Sequence, residues 1–175
     1  MHTTLSHHEL LAFDPIAPRD VAFVLNNARA LQLAAQAGDV RAVLRGRKFG
    51  LMCESATDSA SESDGASDAA LFRRAAVELG AHVAHIRPSL SELSTPLELR
   101  DTARMLGRLY DAVECQGIAA DVVHQLGLAA GVPVFDAVAS QRHPTAQLDA
   151  LLGGDDPAYD KRRFVLQAVL LSTVA

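Results

Sequence analysis

His143 is followed by Pro144 and Thr145, with Gln147 two residues further on. Proline suits the first position of a helix, so His143 falls at a helix start. There an imidazole either caps the backbone or meets a ligand, and capping is the commoner use. Gln116 follows Asp111–Cys115, which reads as a strand. A neutral amide at that point can hydrogen-bond an oxygen but cannot offset its charge. Asp58, Glu62, Asp64 and Asp68 crowd one polar stretch. Hard divalent cations favour several carboxylates, yet this spacing matches no established metal loop, and a solvated linker is the commoner meaning. Cys53 and Cys115, with His143, are the material of a soft-metal or redox site, although buried cysteines usually only pack. No metal and no cofactor is expected.

These residues need elements to position them. Asp20 is a candidate cap for a helix reaching about Ala37, with Val21, Val24, Leu25, Ala28, Leu31 and Leu33 near one face and Gly38 closing it. Arg47–Cys53 reads as a buried strand. Residues 55–68 form an acidic, Ser-rich segment that can bury little, hence a mobile loop. Ala69–Leu79 is predicted helical, His82–Ile86 a strand, and Leu97–Leu109 a helix with Leu99, Ala103, Leu106 and Leu109 in register. Asp111–Cys115 is the next strand and Ala119–Ala130 a helix closed by Gly131. Pro133–Phe135 is a brief strand, and His143–Leu152 starts a helix. Gly153–Pro157 is a turn, and Ala158 to about Thr173 a final helix. Strand and helix alternate throughout, which predicts a parallel sheet covered on both faces. Ligands of such sheets sit at the carboxyl ends of the strands, here after Cys53, Ile86, Cys115 and Phe135.

Composition narrows the classes. The 175 residues are 49% hydrophobic, enough for one core. Aromatics are only 5% and tryptophan is absent, so Leu, Val and Ala must fill it. A net charge of −5 with no basic stripe argues against nucleic acid. No apolar run reaches the length of a membrane span, and the N-terminus lacks the pattern of a secretory signal. Two distant cysteines make no disulfide framework. A cytoplasmic location is the expectation.

The order of segments resembles the aspartate/ornithine carbamoyltransferase (transcarbamylase) family. His8-Glu9-Leu10-Leu11-Ala12-Phe13-Asp14 is similar to H-F-L-S-L-L-D, and Leu44-Arg45-Gly46-Arg47-Lys48 to L-L-x-G-K. Phe72 through His82 resembles F-E-x-A-x-x-x-L-G-G-H. Leu99-Arg100-Asp101-Thr102-Ala103-Arg104-Met105-Leu106 is very close to I-K-D-T-A-R-V-L. Gly131-Val132-Pro133-Val134 and His143-Pro144-Thr145 follow in the family's order. Tyr159–Leu170 resembles the family's carboxyl-terminal helix, A-E-N-R-x-x-x-x-K-A-x-L. The resemblance implies an α/β fold: a three-layer, doubly wound, parallel four-stranded sheet with helices on both faces. Residues 1–154 would form a carbamoyl-phosphate-binding-like domain, with 155–175 a closing helix packed back on it. In the family that helix follows the amino-acid-binding domain, which looks cleanly excised here.

The departures fall on the chemistry. The family holds carbamoyl phosphate with S-T-R-T-R after the first strand, and that motif falls on Gly65-Ala66-Ser67-Asp68-Ala69, so both Arg are lost. A second family Arg, in M-A-R, falls on Gln116. The loop lent by the neighbouring subunit falls on Glu92–Glu98 and lacks its Arg. His143, which the family uses on the carbamoyl oxygen, is kept. The Gln of H-P-x-Q falls on Ala146, with Gln147 next door and about 100° further round a helix. The ligand-binding candidates are therefore His143, Gln147, Gln116 and Ser67, with no catalytic residue assigned.

Three functions compete. The first is a non-catalytic binding, regulatory or structural module. The second is a carbamoyltransferase, moving the carbamoyl group of carbamoyl phosphate to the amino group of ornithine, aspartate or a related amino acid, that needs a partner chain. The third is a site repurposed for a neutral or cationic ligand. The first is favoured, because no Lys or Arg lies in Glu54–Leu71. The resemblance also implies a homotrimer, with a full-length transcarbamylase or another protein as partner.

Overall fold

A computed structural model describes residues 16–53, 67–88 and 94–174. The expectations for His8–Phe13, for most of the acidic stretch and for Glu92 and Leu93 lie outside the described residues. Helix α1 is Pro18–Gln36. Ala17 is its N-cap and Pro18 its first residue, so Asp20 sits inside the first turn and is not the cap. The proline's fixed φ and missing N–H make it the stronger start signal. Val24, Leu25 and Ala28 are buried, whereas Leu33, expected near the apolar face, is 65% exposed.

Strand β1, Lys48–Cys53, is buried after its first residue. Helix α2 is Asp68–Glu78, strand β2 His82–Ile86, helix α3 Pro96–Leu109 and strand β3 Ala112–Gln116. Helix α4 is Ala120–Ala130 and strand β4 Val134–Asp136. A single 3-10 turn, Pro144–Ala146, leads into α5, Gln147–Leu151, and α6 is Ala158–Val174. The helix expected from His143 thus opens as a 3-10 turn, and Leu109, expected inside, is 54% exposed.

The sheet order is β2-β1-β3-β4, all parallel. The chain moves outward from β1 to β2, then crosses back over β1 to β3. That reversal makes β1 and β3 the switch point, with Cys53 paired to Gln116 at their carboxyl ends. Right-handed crossovers then put α2 on one face and α3 and α4 on the other. The cores follow this division. Phe49, Leu51 and Cys53 pack with α1, α2 and α6, while Met52, Val113 and Cys115 pack with α3 and α4. The α/β fold is therefore three-layered and doubly wound, as expected.

Two features tighten the layers. At Gly107 in α3 an added Cβ would lie 1.9 Å from the Ala130 carbonyl oxygen, so α3 and α4 approach at backbone distance. In α6 every residue from Phe164 to Leu170 is buried. A helix apolar around its whole circumference belongs inside a core, and α6 lies against α1, α2 and α5. Its one polar residue in that run, Gln167, donates from Nε2 to the Ala75 carbonyl at 3.4 Å and to Glu78 at 3.0 Å. Glu78 also pairs with Arg74 at 2.9 Å and with Arg163.

Candidate functional site

The carboxyl ends of β1, β3 and β4, the start of α2 and the turn before α5 carry the candidate residues. Ser67 is the N-cap of α2, and its Oγ accepts the Ala70 N–H at 3.1 Å. Asp68 lies in the first turn and Ala69 is buried. A helix N-terminus attracts anions, and an acid in its first turn already answers that field. Positions 67 and 69 therefore offer a capping hydroxyl and a buried methyl group, with a carboxylate between them.

Gln116 is buried, and its Nε2 donates to Glu114 Oε1 at 3.2 Å. Its amide is thus turned partly toward a carboxyl group of its own strand. His143 is 1% exposed and is the N-cap of the 3-10 turn. Its Nδ1 accepts the Thr145 N–H at 3.3 Å and lies 2.9 Å from Thr145 Oγ1. A neutral imidazole accepting at Nδ1 carries its proton on Nε2. The ring therefore caps the turn through one nitrogen and has its donor on the other. Gln147 begins α5 and is exposed, whereas the histidine is buried. Of the four candidates, Gln116 and His143 are tied into one buried network, Ser67 caps α2, and Gln147 stands outside.

The network contains residues that the sequence reading passed over. Glu114, fully buried in β3, accepts the Val138 N–H at 3.3 Å. Burial raises its carboxyl to about 8, although hydrogen bonds from Gln116, Val138 and Ala139 favour the charged form. Arg162 of α6 is also fully buried. Its Nη2 donates to the carbonyls of Val138 and Ser140 and, at 3.0 Å, to Thr145 Oγ1. Its Nη1 lies 3.4 Å from Asp149. Burial pushes Asp149 up to about 6, opposed by Arg162. The Thr145 hydroxyl, accepting from Arg162, can donate to His143 Nδ1, so a chain of hydrogen bonds joins α6 to the histidine. The available signals were a carboxyl group in the middle of a buried strand, and an arginine two residues before the buried run Phe164–Leu170.

Cys53 and Cys115 are both buried. Burial pushes the Cys115 thiol well up, with Glu114, Asp136 and Cys53 adding to it, so it is a packing thiol and no nucleophile. Among the described residues no group of three or more His, Cys, Asp or Glu is arranged to hold a metal ion. No helix of the described residues is long and apolar enough to cross a membrane.

A parallel sheet of this order, with helices on both faces and its switch point between β1 and β3, defines a doubly wound α/β domain. Residues 8–152 match the family model of the aspartate/ornithine carbamoyltransferase carbamoyl-P binding domain, so the chain belongs to this family. The ornithine carbamoyltransferase of Actinobacillus pleuropneumoniae is 34% identical over 152 residues, covering 87% of this chain and 43% of the relative. The catabolic ornithine carbamoyltransferase of Pseudomonas putida is 30% identical over 164 residues, covering 91% and 46%. The chain thus spans less than half the length of these curated relatives. Among solved structures, ornithine carbamoyltransferase from Burkholderia thailandensis superposes with a TM-score of 0.64 at 19% identity, covering 81% of this chain and 46% of that one. The catalytic subunit of M. jannaschii aspartate transcarbamoylase superposes at 0.60 and 18%, covering 78% and 42%.

Proposed function

We propose that this chain is a non-catalytic member of the transcarbamylase family that serves as a binding, regulatory or structural module. The observation that carries this is the start of α2. Ser67 is committed to capping, Ala69 is buried, and Asp68 adds negative charge where the resemblance aligns two arginines. Residues 1–154 form the ligand-binding-like unit and 155–175 its closing helix. His143, Gln116 and Ser67 are the residues to meet any ligand, with Gln147 at the margin. Incubation of the purified chain with carbamoyl phosphate and either ornithine or aspartate is expected to yield no citrulline and no carbamoylaspartate above the uncatalysed background. Product formed in proportion to protein concentration would overturn the proposal.

The same reading makes the chain a cytoplasmic homotrimer, open to association with a full-length transcarbamylase. Supporting it, Leu97, Met105 and Leu109 of α3 leave large apolar side chains about half exposed, and both faces of the edge strand β2 are incompletely covered. A closed cyclic assembly would bury such surface without leaving a further sticky face. Light scattering at micromolar concentration is expected to give about three times the 18.6 kDa chain mass. A monomer mass would refute it.

A further inference from the structure

The segment between β4 and the 3-10 turn carries His143, and it is gripped by two buried ionisable side chains from different elements. Glu114 of β3 accepts the Val138 N–H, and Arg162 of α6 donates to the Val138 and Ser140 carbonyls. Both side chains are fully buried. Ala137, at the start of this segment, has φ +48°, a left-handed conformation that a residue with a Cβ adopts only when its surroundings impose it. The Ala137 N–H is held by the Cys115 carbonyl at 2.9 Å, and the His143 N–H by that of Ser140 at 3.1 Å. A strained loop held at both backbone groups of one residue is a built arrangement.

We propose that Glu114 and Arg162 are positioning residues that clamp residues 137–143, and that loss of the Glu114 proton to solvent resets this loop and with it His143. The hydrogen bonds that Glu114 receives become charge-assisted on ionisation, and such bonds are shorter and stronger than neutral ones. The pull falls on the amides of Val138 and Ala139, which lie between Ala137 and the histidine. The groups facing the carboxyl are the Gln116 amide and Cys115 thiol on β3, Asp136 on β4 and the Arg162 guanidinium on α6. Behind Arg162 stand Asp149 of α5, Asp68 of α2 and the Thr145 hydroxyl that meets His143. Asp136 disfavours the ionised form, and burial disfavours it most. The sign follows. A carboxyl raised in the folded chain contributes stability that is complete below its ordinary value near 4.5, declines as pH rises toward about 8, and is gone above it.

The clamp concerns the loop itself, so its failure would leave the binding reading untouched. The test is a titration of backbone amide resonances in the unliganded chain from pH 6 to 9.5. The amides of Val138, Ala139 and His143 are expected to share a transition with a midpoint near 8. Glu114→Gln, which keeps the shape and removes the ionisation, is expected to abolish that component and leave any due to other groups. Absence of a shared transition in the natural chain, or its persistence in Glu114→Gln, would overturn the proposal. The first arm needs no variant: a natural chain without the shared transition overturns the proposal whether or not the glutamine chain folds.

Discussion

Removal of residues 158–175 is expected to abolish cooperative folding. Every residue from Phe164 to Leu170 is buried, in contact with α1, α2 and α5. Full burial of a Val, Leu or Phe side chain is worth about 1.5–3 kcal/mol, so this helix contributes roughly 10 kcal/mol of apolar burial. That is comparable to the whole stability of an ordinary domain, about 5–15 kcal/mol. The loss is compounded because Glu78, the Ala75 carbonyl and the 137–143 loop lose their α6 partners, Arg163, Gln167 and Arg162. Denaturant unfolding followed by circular dichroism should show a sharp transition for the full chain and a gradual, non-cooperative drift for the truncated one. Leu166→Ala provides a graded control, with an expected loss of about 2–5 kcal/mol while the transition stays cooperative. A truncated chain that unfolds as sharply as the full one would show that α6 is an accessory.

How far the sequence discloses this architecture depends on what kind of fact is asked of it. Strand β1 was legible because burial on both faces leaves a continuous apolar run, here Phe49 to Cys53. The apolar run of α6 was legible for the same reason. Leu33 and Leu109 misled, because a helical period marks an apolar position without saying where the covering layer ends, and both lie beyond it. Asp20 signals a cap by its side chain, but the backbone constraint of Pro18 sets the start of α1 two residues earlier.

The site was legible by alignment of motifs and much less by chemistry. His143 was placed at a helix start, and its capping of the Thr145 N–H is where that position leads. The pairing of Glu114 with the Val138 amide, and of Arg162 with the carbonyls of Val138 and Ser140, joins positions 24 and 22 residues apart. Periodicity reports which side chains are inside and is silent on which of them meet. The left-handed Ala137 was equally invisible, since nothing in its residue type asks for that conformation.

Binding of carbamoyl phosphate is expected to be weaker by at least about a thousandfold than at a site with a full set of arginines. One unit charge pair at 4 Å is worth roughly 4 kcal/mol at an effective dielectric near 20, and each 1.4 kcal/mol is a factor of ten in affinity. The resemblance aligns arginines with Ser67 and Ala69, and neither residue carries charge. Asp68 opposes the helix field that would otherwise attract the dianion. Arg162 cannot substitute, because it is fully buried and its guanidinium is engaged with Val138, Ser140, Thr145 and Asp149. The Gln116 amide and the His143 ring can still hydrogen-bond an oxygen, but neither neutral group compensates two negative charges. Calorimetric titration of the intact chain with carbamoyl phosphate tests this most directly. No saturable heat is expected up to millimolar ligand, and a one-site micromolar isotherm would contradict the account.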